Sequence, residues 1–218
     1  MSTIIDTLIT NRTNTTQLDT IAGKIKNGTA TTAELNTYLA GMIAGYNASD
    51  LNRVGQAILY LSQEFNDLPS ELYTAYTNAL AEIASGLNYD ISNYDISISL
   101  PTSLYQVSYA YPVATMATKT DWAQGDIPTT AELAYYLNNI RSIATAGGSS
   151  GLVPSTLNGL TCEGANNIEQ ALVNAESFYQ SYRQDKLDTI TLAKNDAAQE
   201  FRNIDSNWLM AGEAICGG

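Results

Sequence analysis

The sequence predicts a mainly α protein: duplicated helix-loop-helix units forming a helical bundle, with a small β-hairpin or extended excursion in the middle. Three observations lead there. One phrase occurs twice: Thr31-Thr32-Ala33-Glu34-Leu35 followed by Tyr38-Leu39, and Thr129-Thr130-Ala131-Glu132-Leu133 followed by Tyr136-Leu137. Apolar residues recur at helical spacing on both sides of each copy. Only one stretch, between the copies, changes to a period of two.

A first helix is expected over residues 15–27, where Leu18, Ile21, Ala22 and Ile25 share a face and Gly28 supplies the stop. The second helix opens on the first copy of the phrase. Thr31 can accept a free amide of the first turn and Glu34 can return the bond, a capping box. Leu35, Leu39, Met42 and Ile43 form its apolar stripe; Leu133, Leu137 and Ile140 repeat it in the second copy. Leu35 and Leu133 are therefore expected to face inward. A third helix follows Asn47-Ala48-Ser49-Asp50, with Leu51, Val54, Ile58, Leu61 and Phe65 on one side. Its counterpart carries Ala165, Ile168, Leu172, Ala175 and Tyr179. The copies are 98 residues apart at the capping phrase and 114 apart at this helix, so the second holds 16 extra residues, placed in the Gly/Ser-rich stretch 146–159.

Residues 69–85 read as a further helix beginning at Pro69. Ile96, Ile98 and Leu100, then Val107, Tyr109 and Tyr111, alternate with other residues and suggest a strand pair or extended arm. Residues 185–204 are helical in pattern, and 208–218 form a short apolar arm suited to docking on a neighbour. The division expected is 1–68 for the first helical unit, 69–115 for a connecting helix plus arm, 116–183 for the second unit, and 184–218 for a C-terminal helix and docking tail.

Composition narrows the function classes. The net charge of -12, with no basic run, disfavours nucleic acid and anionic lipid as partners. Histidine is absent, which removes the commonest general base and metal ligand. No P-loop, dinucleotide fingerprint or activated serine is present, so the expectation is a non-enzymatic chain with no cofactor and no metal. Cys162 and Cys216 are far apart and are expected as free thiols. No apolar segment reaches the roughly 20 residues of a membrane span. Charged residues make up only 15% of the chain, a surface suited to packing against other chains.

Several residues are candidates for contact or support. Tyr105, Tyr109 and Tyr111 would share a face of the proposed strand, to meet a partner chain, to stack on sugars or simply to be buried. Trp208 and Ile215 sit in the proposed docking tail. Arg53, on an otherwise apolar helix, needs a carboxylate or carbonyl partner and reads as a structural clamp. Asp121 and Trp122, before the second capping box, read as a cap and a core plug.

Certain phrases go further. Asn11-Arg12-Thr13-Asn14, Gly45-Tyr46-Asn47-Ala48-Ser49-Asp50-Leu51-Asn52-Arg53-Val54-Gly55, Lys119-Thr120-Asp121-Trp122 with Asp126-Ile127-Pro128-Thr129, and Ala165-Asn166-Asn167-Ile168-Glu169 stand in this order. The pattern resembles a family of small structural proteins encoded among the tail and baseplate genes of phages and prophages of Gram-positive bacteria. The resemblance covers residues 5–66 and 116–183. Residues 91–111 and the C-terminal helix match no pattern of the family, and Asn167 stands where it usually has an acid. The resemblance implies a virion protein, made in the host cytoplasm and acting in the tail, baseplate or fibre region. Its partners would be other virion proteins and further copies in a symmetric assembly. A module binding host cell-wall glycan, and a head or neck decoration protein, are the alternatives.

Overall fold

The computed structural model describes residues 3–12, 16–41, 46–86, 99–109 and 118–216. The described chain is mainly α-helical. Its helices are α1 (Thr16–Lys26), α2 (Thr32–Gly41), α3 (Ala48–Gly86), α4 (Thr130–Ala146) and α5 (Cys162–Cys216). Short 3-10 turns occur at Ile4–Thr7, Thr102–Leu104 and Ser150–Leu152. No described helix is long and apolar enough to cross a membrane. The chain groups into two compact units: Met1–Asn66 with Tyr109–Gln180, and Asp67–Ser108 with Ser181–Gly218.

Both copies of the repeat fall in the first unit. Both capping boxes are formed. Glu34 N donates to Thr31 Oγ1 at 3.3 Å while Thr31 N donates to Glu34 Oε2 at 2.9 Å. In the second box the same bonds measure 3.2 and 2.7 Å between Thr129 and Glu132. Gly28 takes φ +69 after α1, so the N–H of Thr29 can reach back to the Lys24 carbonyl. Equivalent positions of α3 and α5 are buried in pairs: Val54 and Ile168, Ile58 and Leu172, Leu61 and Ala175, Phe65 and Tyr179. The last two touch each other edge to face, with ring centroids 5.4 Å apart. Arg53 meets Glu169 and Tyr60 meets Glu176 further along, so within this unit the two helices run parallel.

Four expectations change. The stripe of the capped helices holds only in part: Leu137 and Ile140 are buried as expected, but Leu35 is 38% exposed and Leu133 only half-buried, Tyr38 and Tyr136 are buried instead, and the Leu39 side chain, Met42 and Ile43 lie outside the described residues. The tyrosine of each phrase goes inward because its hydroxyl finds a carbonyl there: Tyr38 donates to Leu160 O at 2.5 Å and Tyr136 to Leu51 O at 2.8 Å. Residues 69–85 are not a separate helix but the second half of α3, with Pro69 inside it. Proline lacks the N–H that would bond the carbonyl four residues back, at Phe65. The Tyr109 hydroxyl donates to that carbonyl at 2.6 Å, and the Tyr109 ring packs on Phe65. The freed acceptor is thus satisfied and the helix continues.

No strand is present among the described residues. Of the alternating stretch, Leu100 to Tyr109 is a 3-10 turn with irregular flanks, whereas Ile96, Ile98 and Tyr111 lie outside the described residues. Lastly, the C-terminal helix is not a separate element, and it takes in residues 208–216 of the expected docking tail. The backbone is helical from Cys162 to Cys216, since no proline interrupts it. In the second unit, Glu71 pairs with Arg183 and Lys194 donates to Glu82 at 2.7 Å, so α3 and α5 run parallel there as well.

Candidate functional site

The most unusual feature of the first unit is a buried group of four ionised side chains. Asp50 enters from the first turn of α3, held there by the helix cap. Asn47 N donates to Asp50 Oδ2, and Asp50 N to Asn47 Oδ1, both at 3.1 Å. One turn on, Arg53 donates from Nη2 to Asp50 Oδ1 at 2.5 Å and to Glu169 Oε1 at 2.9 Å. Glu169 projects from α5 and is fully buried. Arg12 comes from the N-terminal segment, its side chain 5% exposed. It donates to Asp50 Oδ1 at 3.1 Å and also to Glu169 Oε1. The Arg12 guanidinium lies 5.4 Å from the centre of the Tyr46 ring.

Two cations and two anions balance. The remaining acceptor capacity of Glu169 is filled by Ile9 N, which donates to Oε2 at 2.5 Å, and by Arg53 Nε at 3.3 Å. Burial opposes the charge on Arg53, but hydrogen bonds to Glu169 and Asp50 outweigh it and hold its pKa up. Tyr46 and Tyr136 titrate well above the ordinary tyrosine range because their hydroxyls are withdrawn from water, and because the nearby Glu169 charge disfavours a phenolate. In this group Glu169 accepts four hydrogen bonds and Asp50 three, all from the protein's own donors. Its chemistry is that of a fastener. Isolated charges here would be costly, whereas the paired set ties three chain segments together.

Around it lies a duplicated clasp. Asn166 of α5 bonds the main chain of Arg12 in both directions: Arg12 N donates to Asn166 Oδ1 at 2.8 Å, and Asn166 Nδ2 to Arg12 O at 2.9 Å. Asn52, the equivalent position of α3, does the same to Trp122, at 2.7 and 2.9 Å. Each repeat's long helix thus holds a segment preceding the other repeat's capped helix. Tyrosines cross over too. Tyr136 of the second repeat bonds Leu51 O of α3, and Tyr46 of the first bonds the equivalent Ala165 O of α5, at 3.2 Å.

The residues singled out by sequence fall in separate places. Arg53 is part of the buried set. Trp122 is buried under Lys119, whose Nζ is 4.8 Å from the ring centre. Asp121 is exposed and pairs with Lys119 at 3.2 Å. Tyr105 and Tyr109 do not form one exposed row. Tyr105 packs edge-on against Tyr73 and Tyr76 in the second unit, and Tyr109 serves Phe65 in the first. Tyr111 and the side chains of Trp208 and Ile215 lie outside the described residues. Cys162 is a buried free thiol.

Sequence reasoning missed Arg12, Asp50, Glu169 and both asparagines. Glu169 carried the one available signal, an acid set among Ile168, Ala171 and Leu172 on a buried stripe. Among the described residues no group of three potential ligands could hold a metal ion. No protein-family model, no curated protein and no solved structure matches the chain.

Proposed function

We propose that this chain is a non-enzymatic structural protein of a phage particle, an adaptor in the tail, baseplate or fibre region that acts through contacts with other virion proteins. The support is where the family-like phrases fall. The phrase running from Tyr46 to Gly55 supplies Tyr46, Asp50, Asn52 and Arg53; the phrase ending at Trp122 is the segment that Asn52 holds; the phrase from Ala165 to Glu169 supplies Asn166 and Glu169; and Arg12 stands in the first. The residues carrying the resemblance are thus those that fasten the two repeats to each other. A fold whose distinctive residues are spent on internal fastening resists local opening, which suits a part that must keep its shape inside an assembly.

In the host that encodes it, the chain should co-sediment with purified particles, at a fixed number of copies per particle. Density for it in a particle reconstruction would separate a tail position from a head or neck position. Recovery only from host cytosol, with none in washed particles, would overturn the proposal.

A further inference from the structure

The dipeptide Asn-Gly occurs twice, at Asn27-Gly28 and Asn158-Gly159, and the fold treats the two differently. Asparagine before glycine is chemically labile. The glycine nitrogen can attack the asparagine side-chain Cγ, because glycine has no Cβ to hinder the approach. A cyclic imide forms and ammonia leaves. Water then opens the imide at either carbonyl. One opening gives aspartate; the other gives isoaspartate, in which the main chain runs through the side chain and gains a carbon. The two sites match in sequence and in backbone. Both asparagines are exposed, and both glycines take a left-handed φ, +69 at Gly28 and +63 at Gly159. They differ in what holds the attacking nitrogen. Gly28 N donates to Ile25 O at 3.0 Å and Thr29 N to Lys24 O at 2.8 Å, which pins that peptide into the end of α1. The turn at Gly159 is closed by Leu160 N to Leu157 O at 3.3 Å. Among the described residues nothing accepts from Gly159 N, and nothing bonds the Asn158 side chain.

We infer that Asn158 is a site of spontaneous conversion to aspartate and isoaspartate in the folded chain, while Asn27 is protected by the end of its helix. The product matters at this place because Gly159 is seated on α1. A Cβ on Gly159 would stand 2.5 Å from Ala22 O and 2.9 Å from Lys26 N. An added main-chain carbon has no room in so close an approach. Isoaspartate therefore lifts the turn of residues 157–160 off α1, and with it the Leu160 carbonyl that accepts from Tyr38. The chemistry belongs to the chain itself and holds whether or not the chain is a virion protein.

Purified full-length chain, kept in mildly alkaline buffer at physiological temperature, should convert at Asn158 about tenfold faster than at Asn27, the factor set by one hydrogen bond that must open first. Peptide mapping, with an isoaspartate-specific methyltransferase as label, reads both sites in one sample. In denaturant the bond at Gly28 is gone and the two sites should convert at similar rates. Asn158→Gln, whose longer side chain closes the ring poorly, should abolish the product. Equal rates at the two sites in the folded chain, or faster conversion at Asn27, overturn the inference. The isoaspartate fraction should also melt below fresh chain, whereas Asn158→Asp, with the same added charge on an unlengthened main chain, should not. An isoaspartate fraction that melts with fresh chain overturns the displacement of the turn.

Discussion

The two repeats solve one docking problem with opposite residues. In each, a long helix holds an incoming segment through an asparagine, Asn52 on α3 and Asn166 on α5. Three residues further on, the helices part company. α3 has Gly55, where a Cβ would stand 2.9 Å from the Lys119 carbonyl, so the segment lies directly on the helix backbone. α5 has Glu169, whose carboxylate reaches out to Ile9 N and to both arginines. One dock works by close approach and the other by a buried charge group. The difference sorts the segments. Residues 119–122 would meet the Glu169 side chain on α5, and on α3 Arg12 would find no glutamate at that position. Two similar halves can thereby fold in one arrangement only.

The largest effect should come from the charged dock. Glu169→Ala leaves Ile9 N without its acceptor and two buried guanidinium groups, Arg12 and Arg53, sharing the single carboxylate of Asp50, and should cost about 3–5 kcal/mol in chemical denaturation, the usual result of breaking a buried ion group. A loss under about 1 kcal/mol, the scale of a surface pair, would show that the group adds nothing beyond packing.

The close-approach dock should break more gently. Gly55→Ala pushes against a backbone carbonyl and should cost about 1–3 kcal/mol. Gly23→Ala, in the middle of α1 with open space around it, should instead stabilise by roughly 0.5–1 kcal/mol. If both glycines responded alike, the contrast between the docks would be lost.

Third is the tyrosine serving the proline. Tyr109→Phe should cost about 1–2 kcal/mol by leaving the Phe65 carbonyl without its donor. In a Pro69→Ala background, where position 69 regains a backbone N–H to offer that carbonyl, the same change should cost measurably less. Equal costs in the two backgrounds would disconnect Tyr109 from the missing bond.

The smallest effect compares the two capping boxes. Glu34 is held down to about 2, first by the hydrogen bond from Lys24 and then by the Thr31 amide and hydroxyl. Glu132 is lowered chiefly by the Thr129 amide. For a carboxylate depressed in the folded state, the stabilisation is complete above its unfolded pKa and fades as pH falls through the folded value. A carbon-detected titration should therefore find Glu34 still charged at pH values where a free glutamate is protonated. Lys24→Ala should raise its midpoint; an unmoved midpoint would remove Lys24 as the main cause.

Much of the fold could be read locally. Capping boxes, the inward faces of α1 and of the first half of α3, and the Gly28 stop depend on residues within one or two turns of each other, so periodicity and caps were sufficient to place them. Continuity was harder. Pro69 is a boundary signal in the sequence, and its harmlessness depends on a hydroxyl 40 residues away. The charge group was least legible. Arg12 and Trp122 occupy corresponding docks, yet 19 residues separate Arg12 from Thr31 and seven separate Trp122 from Thr129. α1 intervenes in the first case only, so no single offset aligns them.

The sequence by itself determined that this chain is helical and duplicated, and which residues begin its capped helices, because those properties follow from short-range sterics and hydrogen bonding. Only the tertiary structure decided that Arg12, Asp50, Arg53 and Glu169 share one buried site and that Tyr38 and Tyr136, not Leu35 and Leu133, turn inward. Those outcomes rest on partners more than 30 residues apart along the chain, and burial rewards only the arrangement in which every charge and hydroxyl finds one.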